Sequence, residues 1–264
     1  KMICDGSVRR DIGGLDLDLV FNVAEGIRGR SREAIVPAVL ELLDIPYTGS
    51  DSATLALTLD KALAKQIVRQ AGVHTPGYFV LQTGKERLPR NLKYPLLVKP
   101  IAEGSSKGVI ENSVVRDEAE LRRSAAQQLA KYRQPVIVED YLPGREFTVA
   151  VLGDPRRPRV LPPMEIVFLN KEDPTPVYAF AHKQALSGEI RYDAPAKLEP
   201  KLAREMEQAA RAAFRALDCR DVARIDFRLD AQGHPNFIEC NPLPGLTPGW
   251  SDLCLISEAA GIDY

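Results

Sequence analysis

The chain has 264 residues, 45% of them hydrophobic and 27% charged, with a formal net charge of −1. That length buries a substantial core in one to three domains. No apolar run approaches the roughly 20 residues needed to cross a bilayer, and the even charge balance leaves no nucleic-acid footprint, so neither membrane nor nucleic acid is an expected partner. The opening KMICDGSVRRD lacks the apolar middle of a secretory signal. Cys4, Cys219, Cys240 and Cys254 show no metal-ligand spacing and read as buried thiols of a reducing compartment, which makes the cytoplasm the expected location. The chain starts abruptly and runs from GID into Tyr264 with no closing helix, so further residues are expected at one or both ends.

In chain order, Leu15–Val23 alternates and then turns apolar, as a strand does, before the glycine-punctuated loop Glu25–Gly29. Ser31 is placed to cap a helix carrying Ile35, Val39, Leu42 and Leu43, with Pro37 delaying its start or bending it. Asp51 or Ser52 opens one helix that stops at Gly72, with Leu55, Leu59, Leu63, Ile67 and Val68 as its buried stripe. Lys61 and Lys65, four residues apart on it, read as a solvated face. Pro95–Pro100 (PLLVKP) is a buried strand with Lys99 at its outlet, followed by the polar loop Glu103–Gly108 (EGSSKG) and a further strand from Val109. Asp117–Leu129 is helical, and Val136–Tyr141 and Glu146–Leu152 are strands around a Pro143–Gly144 turn. Asn170–Pro195 has no clear period, and a loop of that length inside a compact domain is usually functional. Glu199–Leu217 is a helix with Pro200 in its first turn. The groups of strands and helices indicate an α+β fold in three subdomains.

Chemistry concentrates in Val222–Gly245, two strands around a turn at Asp230–Gly233. Side chains alternate along a strand, so Arg224, Asp226, Arg228 and Asp230 share the face opposite Ala223, Ile225, Phe227 and Leu229. Glu239 and Asn241 share a face of the second strand. Antiparallel pairing gathers Asp226, Glu239 and Asn241 into an oxygen-rich set beside Arg224, which suits Mg²⁺; the alternative is an ordinary solvated hairpin face. The EGSSKG loop is not a P-loop, but its backbone N–H groups and the Ser105 and Ser106 hydroxyls can meet phosphate oxygens near Lys99.

The order of these pieces resembles the D-alanine–D-alanine ligase group of the ATP-grasp superfamily, most specifically in PLLVKPIAEGSSKGV, VEDYLPGREFTVAVLG, ARIDFRLD and ECNPLPGLTP. The resemblance implies an ATP-grasp fold of two α+β subdomains clasping ATP, residues 60–135 and 136–264, behind an incomplete α/β N-terminal substrate domain, residues 1–59. It implies that Lys61 and Lys99 touch the ATP phosphates, with Glu103, Ser105 and Ser106 in the flap above them. Glu139, Asp140, Tyr141 and Leu142 would line the adenine pocket, Glu146 would take the ribose hydroxyls, and Lys183 would close on the γ-phosphate. Asp226, Glu239 and Asn241 match ligands of two Mg²⁺ ions, with Mn²⁺ as a substitute. Arg224 and the Gly245 N–H match the donors to the tetrahedral intermediate, and Ser251 the hydroxyl that binds the second substrate.

The implied activity is ATP-dependent joining of two amino acids through an acylphosphate, in peptidoglycan synthesis, by a homodimer. Departures sit at the amino-acid sites: Glu25 stands where the family has histidine, Gln184 follows Lys183 where D-alanine-specific enzymes have tyrosine, and the N-terminal glycine-rich segment with its amine-binding glutamate is not recognisable. Other readings are a ligase for a different substrate pair, a nucleotide-binding regulatory module, and a carboxylate kinase.

Overall fold

The computed structural model describes residues 17–104, 113–170, 172–178 and 189–264. Ser105, Ser106, Lys183, Gln184 and the strand start expected at Val109 lie outside the described residues.

The N-terminal segment is slighter than its apolar alternation suggests. Leu15 and Asp16 fall outside the described residues, and the rest of the expected Leu15–Val23 strand reduces to one parallel bridge, Val20 to Tyr47. Its ladder is cut short because side chains take the next N–H groups: Thr48 Oγ1 accepts from Asn22 N, and Asn22 Oδ1 from Ala24 N. A 3₁₀ turn, Arg32–Ala34, leads into α1 (Ile35–Leu42). Ser31 makes no side-chain cap, and Pro37 falls in the first turn of α1, where a missing N–H is tolerated. Val36 and Leu40 pack against Val20, Ile45 and Tyr47.

The single helix expected from Asp51 to Gly72 is two helices, α2 (Ser52–Leu59) and α3 (Lys61–Gln70). Asp51 caps the first by accepting from Thr54 N; Asp60 leaves the helical region and caps the second, accepting from Ala62 N and Leu63 N. The Lys61 N–H released by the break donates to Ile101 O. The break also rotates the buried stripe. Leu63 is 40% exposed, whereas Lys61 and Lys65 turn inward and are buried, so neither the expected stripe at Leu63 nor the solvated lysine face is observed.

Two antiparallel sheets follow. The first has strands β1 (Tyr78–Leu81), β2 (Leu96–Pro100), β3 (Val114–Val115) and β4 (Val136–Asp140) in the order β1-β4-β2-β3. Leu121 and Ala125 of α4 (Glu118–Tyr132) pack with Leu96, Val98, Val136 and Val138. β4 pairs with both β1 and β2 and so lies inside this first sheet.

The second sheet has β5 (Glu146–Gly153), β6 (Arg159–Val160), β7 (Met164–Phe168), β8 (Ile190–Asp193), β9 (Asp221–Leu229) and β10 (Pro235–Asn241), ordered β10-β9-β5-β7-β8 with β6 on β5. Strand alternation divides its side chains between two layers. Phe147, Val149, Ile225 and Phe227 pack with Met206, Ala210 and Phe214 of α5 (Pro200–Ala216). Ala150 and Met164, with Leu161 beside them, meet Leu253 and Ile256 of α6 (Asp252–Ala259). Thus a helix does lie near the end of the chain where none was expected, and β8 interrupts the expected irregular stretch 170–195. At the turn between the sheets a Cβ on Gly144 would stand 2.6 Å from Leu229 O and Cβ, so only glycine lets β4 and β5 close here. Among the described residues, no helix is long and apolar enough to cross a membrane.

Candidate active site

A cleft opens between the two sheets, walled by Lys61, Leu97, Lys99 and Glu103 on one side and by Glu146, Asp226, Arg228 and Glu239 on the other. The far wall depends on one irregularity. From Pro235↔Leu229 to Phe237↔Phe227 the β9–β10 ladder is regular; it then skips Ile238, pairing Glu239 with Asp226 and Asn241 with Arg224. Without that bulge Glu239 would oppose Ile225 and face the α5 core. The extra residue instead turns Glu239 and Asn241 to the cleft and Cys240 to the core. The face expected to hold Arg224, Asp226, Glu239 and Asn241 is therefore assembled, by a bulge rather than by simple alternation. Asn241 Nδ2 lies 3.4 Å from Glu239 Oε1.

Buried ion pairs knit the near wall. The Glu139 carboxylate lies 3.0 Å from Lys65 Nζ and 2.8 Å from Lys99 Nζ, all three almost wholly enclosed. Lys65 also donates to Phe237 O, which ties the network to β10. Burial pushes the Lys65 ammonium down to about 8 although Glu139 pulls the other way. Burial likewise opposes charge on Lys99, but Glu139 and Glu239 override it and hold the group above its usual range. For Glu139 burial disfavours ionisation, and Lys65 with Lys99 outweighs it, leaving the carboxyl below its usual range. Lys61 Nζ donates to Glu103 O at 2.6 Å and pairs with Glu239 Oε2 at 3.1 Å, bridging the two walls.

The opposite end is centred on Arg224. Its Nη2 lies 3.0 Å from Asp226 Oδ2 and 3.9 Å from Glu239 Oε1, and its Nη1 2.7 Å from Asp252 Oδ2. Burial disfavours this charge, yet Asp226, Asp252 and Glu239 hold the guanidinium above even its high usual range. Ser251 precedes Asp252, and its Oγ accepts from Thr247 N at 2.9 Å. A Cβ on Gly245 would come within 2.7 Å of that Oγ, so the glycine permits the close approach of these two residues.

The remaining expected residues are more dispersed. Glu146 pairs with Arg228 at 3.1 Å, and Arg228 also bonds the Tyr141 hydroxyl at 2.9 Å with its guanidinium 4.9 Å from that ring's centre. Asp140 is exposed, and Leu142 half-buried. Glu139 lies beneath the cleft rather than on its surface, its oxygens facing the two lysines. Glu25 is exposed, near a carboxyl that sequence reading missed: burial, with help from Glu25 and Glu239, pushes Glu33 up to about 7 against the pull of Arg32 and Lys61. Glu33 and Arg32 stand beside Gly104, and Arg32 Nη1 donates to Ala102 O at 2.7 Å. Tyr178 and Asp252 were also not singled out, and Lys65 was read as part of a solvated face. Only the Asp60 capping position, which turns α3, offered a signal for Lys65.

Two antiparallel sheets closing on a cation-lined cleft define the ATP-grasp class. The family described as D-ala D-ala ligase C-terminus matches residues 67–264. The D-alanine–D-alanine ligase of Bordetella petrii is 36% identical over 256 residues, covering 96% of this chain and 74% of that protein. The uncharacterized protein y4sG of Sinorhizobium fredii is 39% identical over 246 residues, covering 93% of this chain and 71% of that one. Among solved structures, the D-alanine–D-alanine ligase of Bacillus anthracis complexed with ATP superposes with a TM-score of 0.76 at 27% identity, covering 98% of this chain and 78% of that one. The chain belongs to the D-alanine–D-alanine ligase family. Its class of activity, ATP-dependent ligation with formation of a C–N bond, follows from that membership.

Proposed function

We propose that this cleft joins two amino acids, with D-alanine as the first pair to test, by way of an acylphosphate. The observation that carries the reading is the Lys61–Glu239 pair across the cleft, 3.1 Å apart. Each partner is what the other end of a metal–nucleotide complex requires, an ammonium for phosphate oxygens and a carboxylate for the cation. Asp226, Glu239 and Asn241 fit Mg²⁺, or Mn²⁺ in its place, because the set offers hard oxygen donors on one face of two adjacent strands. When bound, the ion supplies charge neutralisation at the phosphates.

The chain's own groups divide the remaining work. Lys61 and Lys99 hold phosphate oxygens, with Glu103, Ser105 and Ser106 assigned beside them. The Glu139–Leu142 segment and Glu146 flank the base and ribose of ATP, and Lys183 is assigned to the γ-phosphate. A substrate carboxylate oxygen attacks the γ-phosphorus and ADP leaves. The second amine attacks the acyl carbon, and phosphate leaves. Arg224 and the Gly245 N–H stabilise the oxyanion that develops between these bonds. Glu25 and Ser251 lie toward the two amino-acid sites. Peptidoglycan precursor synthesis, a cytoplasmic location and a homodimer complete the reading on family grounds.

The test is ADP release with ATP and Mg²⁺ against single and paired D- and L-amino acids, with mass detection of products and Glu239→Gln as the blank. A D-alanyl-D-alanine mass supports the stated pair. Turnover with another pair alone moves the substrate assignment, and nucleotide binding without turnover on any pair favours a regulatory module.

A further inference from the structure

One buried carboxylate at the acceptor end has no part in the reaction as divided above. Asp252 opens α6 directly after Ser251 and is 7% exposed. Its Oδ2 takes Arg224 Nη1 at 2.7 Å, and its Oδ1 lies 3.5 Å from the Tyr178 hydroxyl, itself 2.6 Å from the Tyr192 hydroxyl. On the other side Arg224 Nη2 meets Asp226 at 3.0 Å. A guanidinium is a rigid planar fork, so carboxylates at two of its nitrogens fix the orientation of its plane as well as its position.

The two anchors differ in what else is asked of them. Asp226 belongs to the oxygen set suited to the cation, and a carboxylate drawn to a divalent ion holds a neighbouring guanidinium less firmly. Asp252 lies outside that set. It comes from a different element, α6, whose Leu253 and Ile256 are packed into the sheet's second layer. We propose that Asp252 is a positioning residue of the ligase centre, holding Arg224 aimed at the developing oxyanion while Asp226 serves the metal. The proposal rests on the ligase reading. Tyr178 and Tyr192 complete the support, limiting rotation of the Asp252 carboxylate.

A double-mutant cycle on the full chain tests this, with kcat and the KM for ATP measured for wild type, Asp252→Asn, Arg224→Ala and the combined variant. Asp252→Asn is expected to lower kcat by about 10- to 100-fold with the ATP KM little changed. The combined variant is expected to be no slower than Arg224→Ala alone, because the proposed role of Asp252 runs through that guanidinium. Asp252→Ser, checked by a cooperative unfolding transition, replaces the asparagine variant if that one does not fold. Full activity in the folded variant, multiplying losses in the combined one, or a loss confined to the ATP KM would overturn the assignment. Failure of the ligase reading is recognised separately, as absence of amino-acid-dependent turnover in the wild type, and removes the role with it.

Discussion

The two ends of the cleft carry opposite surpluses. On the near wall Lys61, Lys65 and Lys99 face Glu139 and Glu239, while at the far end the single Arg224 faces Asp226 and Asp252 and shares Glu239. A cation-rich end suits phosphates and a carboxylate-rich end suits a divalent ion. Glu239 stands between them and touches both. The difference also separates two kinds of buried charge. Lys65 and Glu139 are fully enclosed and bind each other, so their part is to hold Lys99 and β10 in place; Lys61 and Glu239 face the cleft and can exchange partners.

Removing Glu139 breaks this comparison most severely. Glu139→Ala leaves Lys65 and Lys99 buried with no shared counter-charge, and loss of one partner of a buried pair typically costs about 3–5 kcal/mol. Denaturant unfolding should show a loss of that order, and near-wild-type stability would show that the lysines find other compensation.

At the cleft mouth, Glu33 offers a pH test. Its carboxyl is raised from 4.5 to about 7, chiefly by burial. The folded chain therefore holds a proton that the unfolded chain releases between these values. The associated stability is full below about pH 4.5 and is lost as pH rises through 7. The difference is on the order of 3 kcal/mol. Wild type should lose stability relative to Glu33→Gln across that window and run parallel to it above pH 7; parallel curves throughout would mean that the carboxyl is not buried as described.

The smallest effect lies on the back of α3. Leu63 is 40% exposed, so Leu63→Ser should change stability by no more than about 0.5 kcal/mol. A core-sized loss of about 2–5 kcal/mol would instead restore one continuous helix with Leu63 inside and the lysines out.

Much of the site was legible because strand alternation needs only local information. ARIDFRLD sorts itself into Arg224 and Asp226 on one face and Ile225 and Phe227 on the other, as the structure has it. The partner strand was not readable to the same depth. Nothing in FIECN announces that Ile238 is skipped, since a bulge is decided by how two strands pair rather than by either alone. The same limit applies to Leu15–Val23, whose pattern is strand-like but where the Asn22 N–H goes to the Thr48 side chain and the Ala24 N–H just beyond it to the Asn22 side chain. Lys65 illustrates a further kind of miss. Spacing placed it on a helix, but Asp60 ends one helix and starts another, and that turn decides which side of α3 faces Glu139. Asp252 lies 28 residues from Arg224 along the chain, and only the docking of α6 onto the second sheet brings the two together.

The most direct test of the central claim compares wild type with Arg224→Ala in ATP, Mg²⁺ and D-alanine, following dipeptide mass and nucleotide affinity together. Arg224 is assigned to the oxyanion and not to ATP, so the variant should still bind nucleotide while product formation falls by about 100-fold or more. A variant that forms product at the wild-type rate, or one that loses nucleotide binding in step with product, would contradict the account.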